Sequence, residues 1–146
     1  LLACCNAFGW FLAYLKIPAL ITGALLGVSN NKIVVLLLIN LLLLALGTIM
    51  DMAPLIMITT PILMPVIQSI GMNPIQFGVM MVLNLAIGLC TPPVGAVLFV
   101  GCTIGKISME KLTKSLFPFY AAMLAVLMLV TFVPEVVLFI PNLLLK

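Results

Sequence analysis

The sequence contains no histidine, and its six basic residues are all lysine, set against only three acids, Asp51, Glu110 and Glu135. Without histidine the commonest general base is missing, and with it the commonest nitrogen ligand for a metal. The cysteines are few and badly spaced for a metal site. Cys4 and Cys5 are neighbours, while Cys90 and Cys102 each sit in an apolar run, so all four read as small packing residues. Charged residues make up 6% of the chain and the net charge is +3, too sparse for a nucleic-acid surface. What fills the chain instead is apolar: 66% of its 146 residues are hydrophobic and the mean hydropathy is +1.48. Ordinary soluble domains carry about a quarter charged residues, so water is not the main solvent here. At about 20 apolar residues per helical crossing, the length allows several membrane elements, which excludes a single anchor on a soluble domain.

The chain opens inside an apolar run rather than on a charged leader, and is expected to be the C-terminal part of a longer protein. Residues 1–15, ending at Lys16 and Pro18 with Trp10 and Tyr14 nearby, read as the end of a crossing helix at an interface. Residues 19–28 read as a connecting helix near the membrane surface. Two apolar arms follow, 33–46 and 55–67, joined by Gly47-Thr48-Ile49-Met50-Asp51-Met52-Ala53-Pro54. Each arm is about 14 residues, or roughly 21 Å, short of a crossing, which predicts a re-entrant hairpin. A full span through Met50 is the competing reading. Asn73 and Pro74 then cap a new helix over 75–89. It is broken at Thr91-Pro92-Pro93-Val94-Gly95, because consecutive prolines deny backbone donors, and resumes over 96–104. Lys106, Lys111 and Lys114 mark a short surface helix on the cytoplasmic side, leaving the 71–74 turn external, and a final spanning helix runs from 117 toward Ile140.

Backbone that leaves the helix at membrane depth exposes carbonyls and amides at several kcal/mol each unless protein or a polar guest satisfies them. The hairpin tip and the helix break are two such places. Gly47, Gly88 and Gly95 allow close approach there, and Thr48 and Thr91 add hydroxyl oxygens. An oxygen-only donor set suits an alkali cation, and paired half-helix ends are the parts of a coupled-transport site. Close helix packing is the plainer use of such glycines. Asp51 reads either as a partner to a cation or as a cap over the amides of Ala53 and Leu55. Asn84, one turn before Gly88, points into the site or bonds a neighbouring helix.

Taken in order, Phe8-Gly9-Trp10, Gly47-Thr48-Ile49-Met50-Asp51, Thr60-Pro61-Ile62-Leu63-Met64-Pro65, Gly71-Met72-Asn73-Pro74-Ile75-Gln76-Phe77-Gly78 and the stretch from Asn84 through Thr91-Pro92-Pro93-Val94-Gly95 resemble the large membrane subunit of tripartite ATP-independent periplasmic (TRAP) transporters. The resemblance implies an all-α polytopic membrane protein, here the second inverted repeat of an elevator-type transporter with a re-entrant hairpin and a broken transmembrane helix. It divides the chain into scaffold and interfacial helices (1–32), a transport-domain hairpin and broken helix (33–67 and 75–104), and a surface helix with a final scaffold helix (105–146). It implies sodium as the coupling ion, held by Gly47, Ile49, Gly88, Thr91 and Val94, several through backbone carbonyls. Thr48, Asp51, Asn84, Pro92, Pro93 and Gly95 are then candidates for contacting substrate or supporting those ligands. The implied partners are a small membrane subunit, the N-terminal part of the same large subunit, a periplasmic substrate-binding protein, an organic-acid substrate and the bilayer of the bacterial inner membrane. The likeness leans toward sialic acid over a four-carbon dicarboxylate.

Three other classes compete. An intramembrane enzyme needs paired acids, a serine with its base, or a metal cluster, and finds none of them here. A sodium/dicarboxylate carrier that works without a binding protein shares the expected architecture and differs in subunit composition. A purely structural membrane subunit leaves the paired interruptions without a reason.

Overall fold

The computed structural model describes residues 31–92 and 94–144, together with isolated positions 7, 10, 11, 14, 15, 20, 23 and 27. The expected segments over 1–30 fall largely outside the described residues, as does Pro93. From residue 31 onward the chain is helical: α1 (Lys32–Ile49), α2 (Met52–Ser69), α3 (Pro74–Leu89), α4 (Ala96–Gly105), α5 (Met109–Phe132) and α6 (Pro134–Leu144). Three of these, α1, α2 and α5, are long and apolar enough to cross a bilayer. The molecule is an all-α polytopic membrane protein.

Short polar signals set the helix ends. The side chain of Asn31 accepts from the Ile33 amide at the start of α1, and that of Asn73 accepts from the Ile75 amide at 2.8 Å, with Pro74 at the first turn of α3. Between α2 and α3, the Gly71 amide donates to the Gln68 carbonyl and the Met72 amide to Ile67, which closes α2 and buries Met72 against the core. The expected turn over 71–74 is therefore present.

Helix direction follows from which side chains meet. On α3, Met80 and Asn84 reach Asn40 of α1, and farther along Gly88 meets Gly47, so α1 and α3 run parallel. Thr59 of α2 reaches Met81 while the chain turns at 70–73, so α2 runs back against α3. Thus α1 and α2 form a hairpin with its reversal at Met50 and Asp51, both in extended backbone. Along α5, Gln76 meets Val130 and Thr131, Cys90 meets Tyr120, and Gly101 faces Leu112. The order shows α3 and α4 continuing in one direction, antiparallel to α5, as a broken helix. Its break faces Tyr120, near the middle of the 24-residue α5. The hairpin tip ends at this same level, and both of its arms are long and apolar enough to cross a bilayer, so the shortness that predicted a re-entrant hairpin is not observed.

Helix α3 lies at the centre. Its buried Phe77, Met80 and Leu85 pack among Leu36, Ile39 and Leu43 of α1, Leu63, Val66 and Ile67 of α2, and Leu127 of α5.

Three boundaries differ from the sequence reading. Each hairpin arm has 18 residues, about 27 Å, because Gly47 to Ile49 stay helical and α2 already starts at Met52, ahead of Pro54. Proline in the first turn forfeits no intrahelical donor, so Pro54 does not delay the helix. The lysine segment is no separate surface helix: Lys111 and Lys114 lie in the first turns of α5, since nothing between Met109 and Phe117 interrupts the helical ladder. At the far end α5 stops at Phe132 rather than near Ile140, because Pro134 forces Val133 out of helical geometry and opens α6.

Candidate functional site

Four helix ends converge where the hairpin tip meets the break. The C-termini of α1 and α3 arrive side by side, and the N-termini of α2 and α4 start from the same place. A side chain at Gly88 would put its Cβ 2.7 Å from the Gly47 carbonyl carbon and 2.8 Å from its Cα, so the two backbones touch. One step on, the Gly95 amide donates to the Thr48 carbonyl at 3.4 Å, tying the start of α4 to the end of α1. Gly95 itself has φ +48°, a left-handed conformation that side chains disfavour, and a Cβ there would also crowd Leu98 and the Thr91 carbonyl.

The two threonines turn inward on their own helices. The Thr48 hydroxyl donates to the Ala45 carbonyl and the Thr91 hydroxyl to the Ile87 carbonyl, each at 2.7 Å. Each donation fixes the hydroxyl hydrogen and leaves oxygen lone pairs for an electropositive guest. The Thr91 amide closes onto the Gly88 carbonyl at 2.9 Å. Direct contacts therefore link Gly47, Thr48, Gly88, Thr91 and Gly95. Ile49 and Val94 have exposed side chains, so any polar contribution from them is through backbone. Pro92 is half-buried at the break.

Asp51 caps α2, its Oδ1 accepting from the Met52 amide at 2.9 Å rather than from Ala53 or Leu55. Asn84 takes the helix-bonding option of its two readings. It is fully buried, and its Nδ2 donates to the backbone carbonyl of Asn40 at 2.9 Å and to Asn40 Oδ1 at 2.7 Å, away from the tip.

Sequence reasoning missed three residues whose side chains tie these helices together. The Tyr120 hydroxyl donates to the Cys90 carbonyl at 2.6 Å, satisfying an acceptor freed by the break. Gln76 Nε2 donates to the Val130 and Thr131 carbonyls, both at 3.0 Å, covering acceptors in the last turn of α5. Asn40 joins α1, α3 and α5 in one buried cluster through Asn84, Met80 and Thr131. Its signal was visible as the one polar residue within the apolar run 33–46.

Helix C-termini carry partial negative charge and N-termini partial positive charge, so this convergence offers a cation hard oxygen atoms beside amide-rich ends that favour an anion. Among the described residues no three of His, Cys, Asp or Glu cluster to hold a metal ion. Oxygen-only donors are the type that hard cations take, alkali ions among them.

A sequence model of the family described as "Tripartite ATP-independent periplasmic transporter, DctM component" matches residues 1–136. Protein YgiK of Salmonella typhimurium is 47% identical over 98% of this chain and 33% of its own length. The isethionate TRAP transporter permease protein DctMQ of Oleidesulfovibrio alaskensis is 43% identical over 95% of the chain and 22% of its own length. The sialic acid TRAP transporter large permease protein SiaM of Vibrio cholerae is 41% identical over 94% of the chain and 32% of its own length. The chain thus spans about a third or less of these relatives, and the parts it spans include both the hairpin tip and the helix break. It belongs to the DctM-component family of tripartite ATP-independent periplasmic transporters.

Proposed function

We propose that this chain forms the second half of the moving part of a sodium-coupled secondary importer of a small organic acid in the bacterial inner membrane. The observation that carries the reading is the meeting of four helix ends at Gly47–Gly88 and Thr48–Gly95. A cation at the carbonyl ends of α1 and α3 draws the hairpin tip and the break together, and that same tip and break present amides to a carboxylate or sulfonate. Sodium would be held by carbonyls among Gly47, Ile49, Gly88 and Val94, with Thr91 adding its hydroxyl oxygen. Thr48, Asp51, Pro92 and Gly95 border the substrate side, and Asn84 supports the ligands from within the core. The family points to a small membrane subunit and a periplasmic binding protein as partners, with the remaining part of the large subunit supplying the other half of the substrate pocket. An elevator movement of hairpin and broken helix then carries the substrate across. Relatives named for isethionate and for sialic acid support an organic anion as the substrate class, sialic acid among the candidates.

The test is uptake of labelled organic acids into proteoliposomes holding the intact permease, with binding protein outside. Uptake is expected only with an inward sodium gradient and binding protein. Equal uptake in potassium alone would overturn sodium coupling, and uptake without binding protein would favour the independent carrier.

A further inference from the structure

Helices α1 and α3 lie parallel with mostly apolar contact faces, which make no directional contact that favours one register over its neighbours. In this pair the register matters, because Gly88 can meet only a residue without a side chain. Slid by about one turn, Leu43 or Leu44 would stand where Gly47 now leaves 2.7 to 2.8 Å. Something must align the two glycines.

We propose that the buried Asn40–Asn84 pair is the register lock that sets α1 against α3, so that the carbonyl ends of both helices meet at one level. The orientation of both amides follows from fixed acceptors. The Leu36 carbonyl can only accept, so Asn40 turns its Nδ2 to it, at 3.0 Å, and to Thr131 Oγ1 at 3.2 Å. Asn40 Oδ1 then faces α3. There it meets Asn84 at 2.7 Å, which must present its Nδ2, and the same Nδ2 reaches the Asn40 backbone carbonyl at 2.9 Å. Both contacts are lost if either helix slides by a turn, about 5.4 Å.

The arrangement also leaves Asn84 Oδ1 fully buried with no hydrogen-bond partner among the described residues. An unmatched acceptor in an apolar core lowers stability, so the pair is poorly explained as a stabilising contact. A single buried asparagine pair that sacrifices stability to fix alignment is a known device between packed helices. Asn40 and Asn84 are in this sense positioning residues: both are buried among the helices away from the tip, and act through the placement of Gly47 and Gly88. The effect on sodium rests on the proposed function above, whereas the register itself does not.

The experiment uses the intact permease carrying Asn40→Leu and Asn84→Leu, singly and together, with spin labels at Ile33→Cys on α1 and Ile75→Cys on α3 in a background without native cysteines. Both label sites are exposed on this chain. Replacing both partners with leucine of similar size removes every buried donor and acceptor of the pair, so the double variant is expected to fold at least as stably as the parent and better than either single variant. Its label-to-label distance is expected to broaden or shift by about one helical turn, 5 Å. An unchanged, narrow distance in the double variant overturns the lock. So does a double variant that fails to fold, since the pair would then be a stabilising contact. If the register shifts, the sodium concentration for half-maximal uptake is expected to rise at least tenfold with maximal rate less affected. A shifted register with unchanged sodium dependence would leave the lock standing and remove the cation site from the tip.

Discussion

At the scale of single residues, Thr91 and Tyr120 ask for opposite readings of one structural break. The Thr91 hydroxyl hydrogen is committed to the Ile87 carbonyl, so its oxygen can still serve a cation. Thr91→Val keeps the shape and removes that oxygen, and the expected loss is about 1 to 3 kcal/mol, or roughly tenfold to a hundredfold in sodium affinity. The measurement is half-maximal sodium at matched expression. An unchanged value would leave the hydroxyl as a helix-bonding group only. Tyr120→Phe removes the donor to the Cys90 carbonyl, and a net loss of about 0.5 to 1.5 kcal/mol is expected as a lower midpoint of thermal inactivation. An unchanged midpoint would mean that water replaces the hydroxyl. The sequence made the first of these residues legible and not the second, for a physical reason. Thr91 sits in a string of helix breakers whose consequence is local, whereas the value of Tyr120 depends on α5 passing the break, a contact 30 residues away. Asn84 was legible as a polar residue in an apolar run, but its partner Asn40 lies 44 residues off and decides which way it points.

At the scale of elements, local chemistry announced the turn over 71–74 and the break at the prolines, because caps, prolines and left-handed glycines act within a few residues. Lengths were harder to read. Gly47 looks like a stop signal in sequence, yet it stays helical because its missing side chain is used for close approach to Gly88. That distinction gives a test of what the glycines do. Gly88→Ala keeps helix propensity and improves it intrinsically, so a glycine serving only local flexibility would be replaced with a gain in stability. The contact predicts the reverse. An alanine Cβ at 2.7 Å from the Gly47 backbone forces α1 and α3 apart, separating the carbonyl ends they share. Expression and membrane insertion are expected to survive, while half-maximal sodium rises by tenfold or more. A stable Gly88→Ala permease with native sodium dependence would dissociate the helix contact from the ion site.

At the scale of the whole chain, antiparallel packing converts a charge pattern into an orientation. The 71–74 turn starts α3 beside the C-terminal end of α5, while α4 ends beside its lysine-bearing first turns. The two segments are therefore at opposite ends of one 24-residue helix, about 36 Å long, enough to span the hydrocarbon core. Whichever side holds one excludes the other. Lys106, Lys111 and Lys114 gather at one end of this unit, and lysine-rich short segments are retained in the cytoplasm, so the 71–74 turn is expected outside. The opening of α1 lies beside that of α3 because those helices run parallel, which brings the hairpin in from the same external face. Single cysteines at Ser108 and Asn73, in a permease stripped of native thiols, decide the matter in spheroplasts treated with an impermeant maleimide. Labelling is expected at Asn73→Cys in intact spheroplasts and at Ser108→Cys only after lysis. The opposite pattern would invert the chain and make the hairpin enter from the cytoplasm, exchanging the side from which the proposed ion and substrate would first meet the tip.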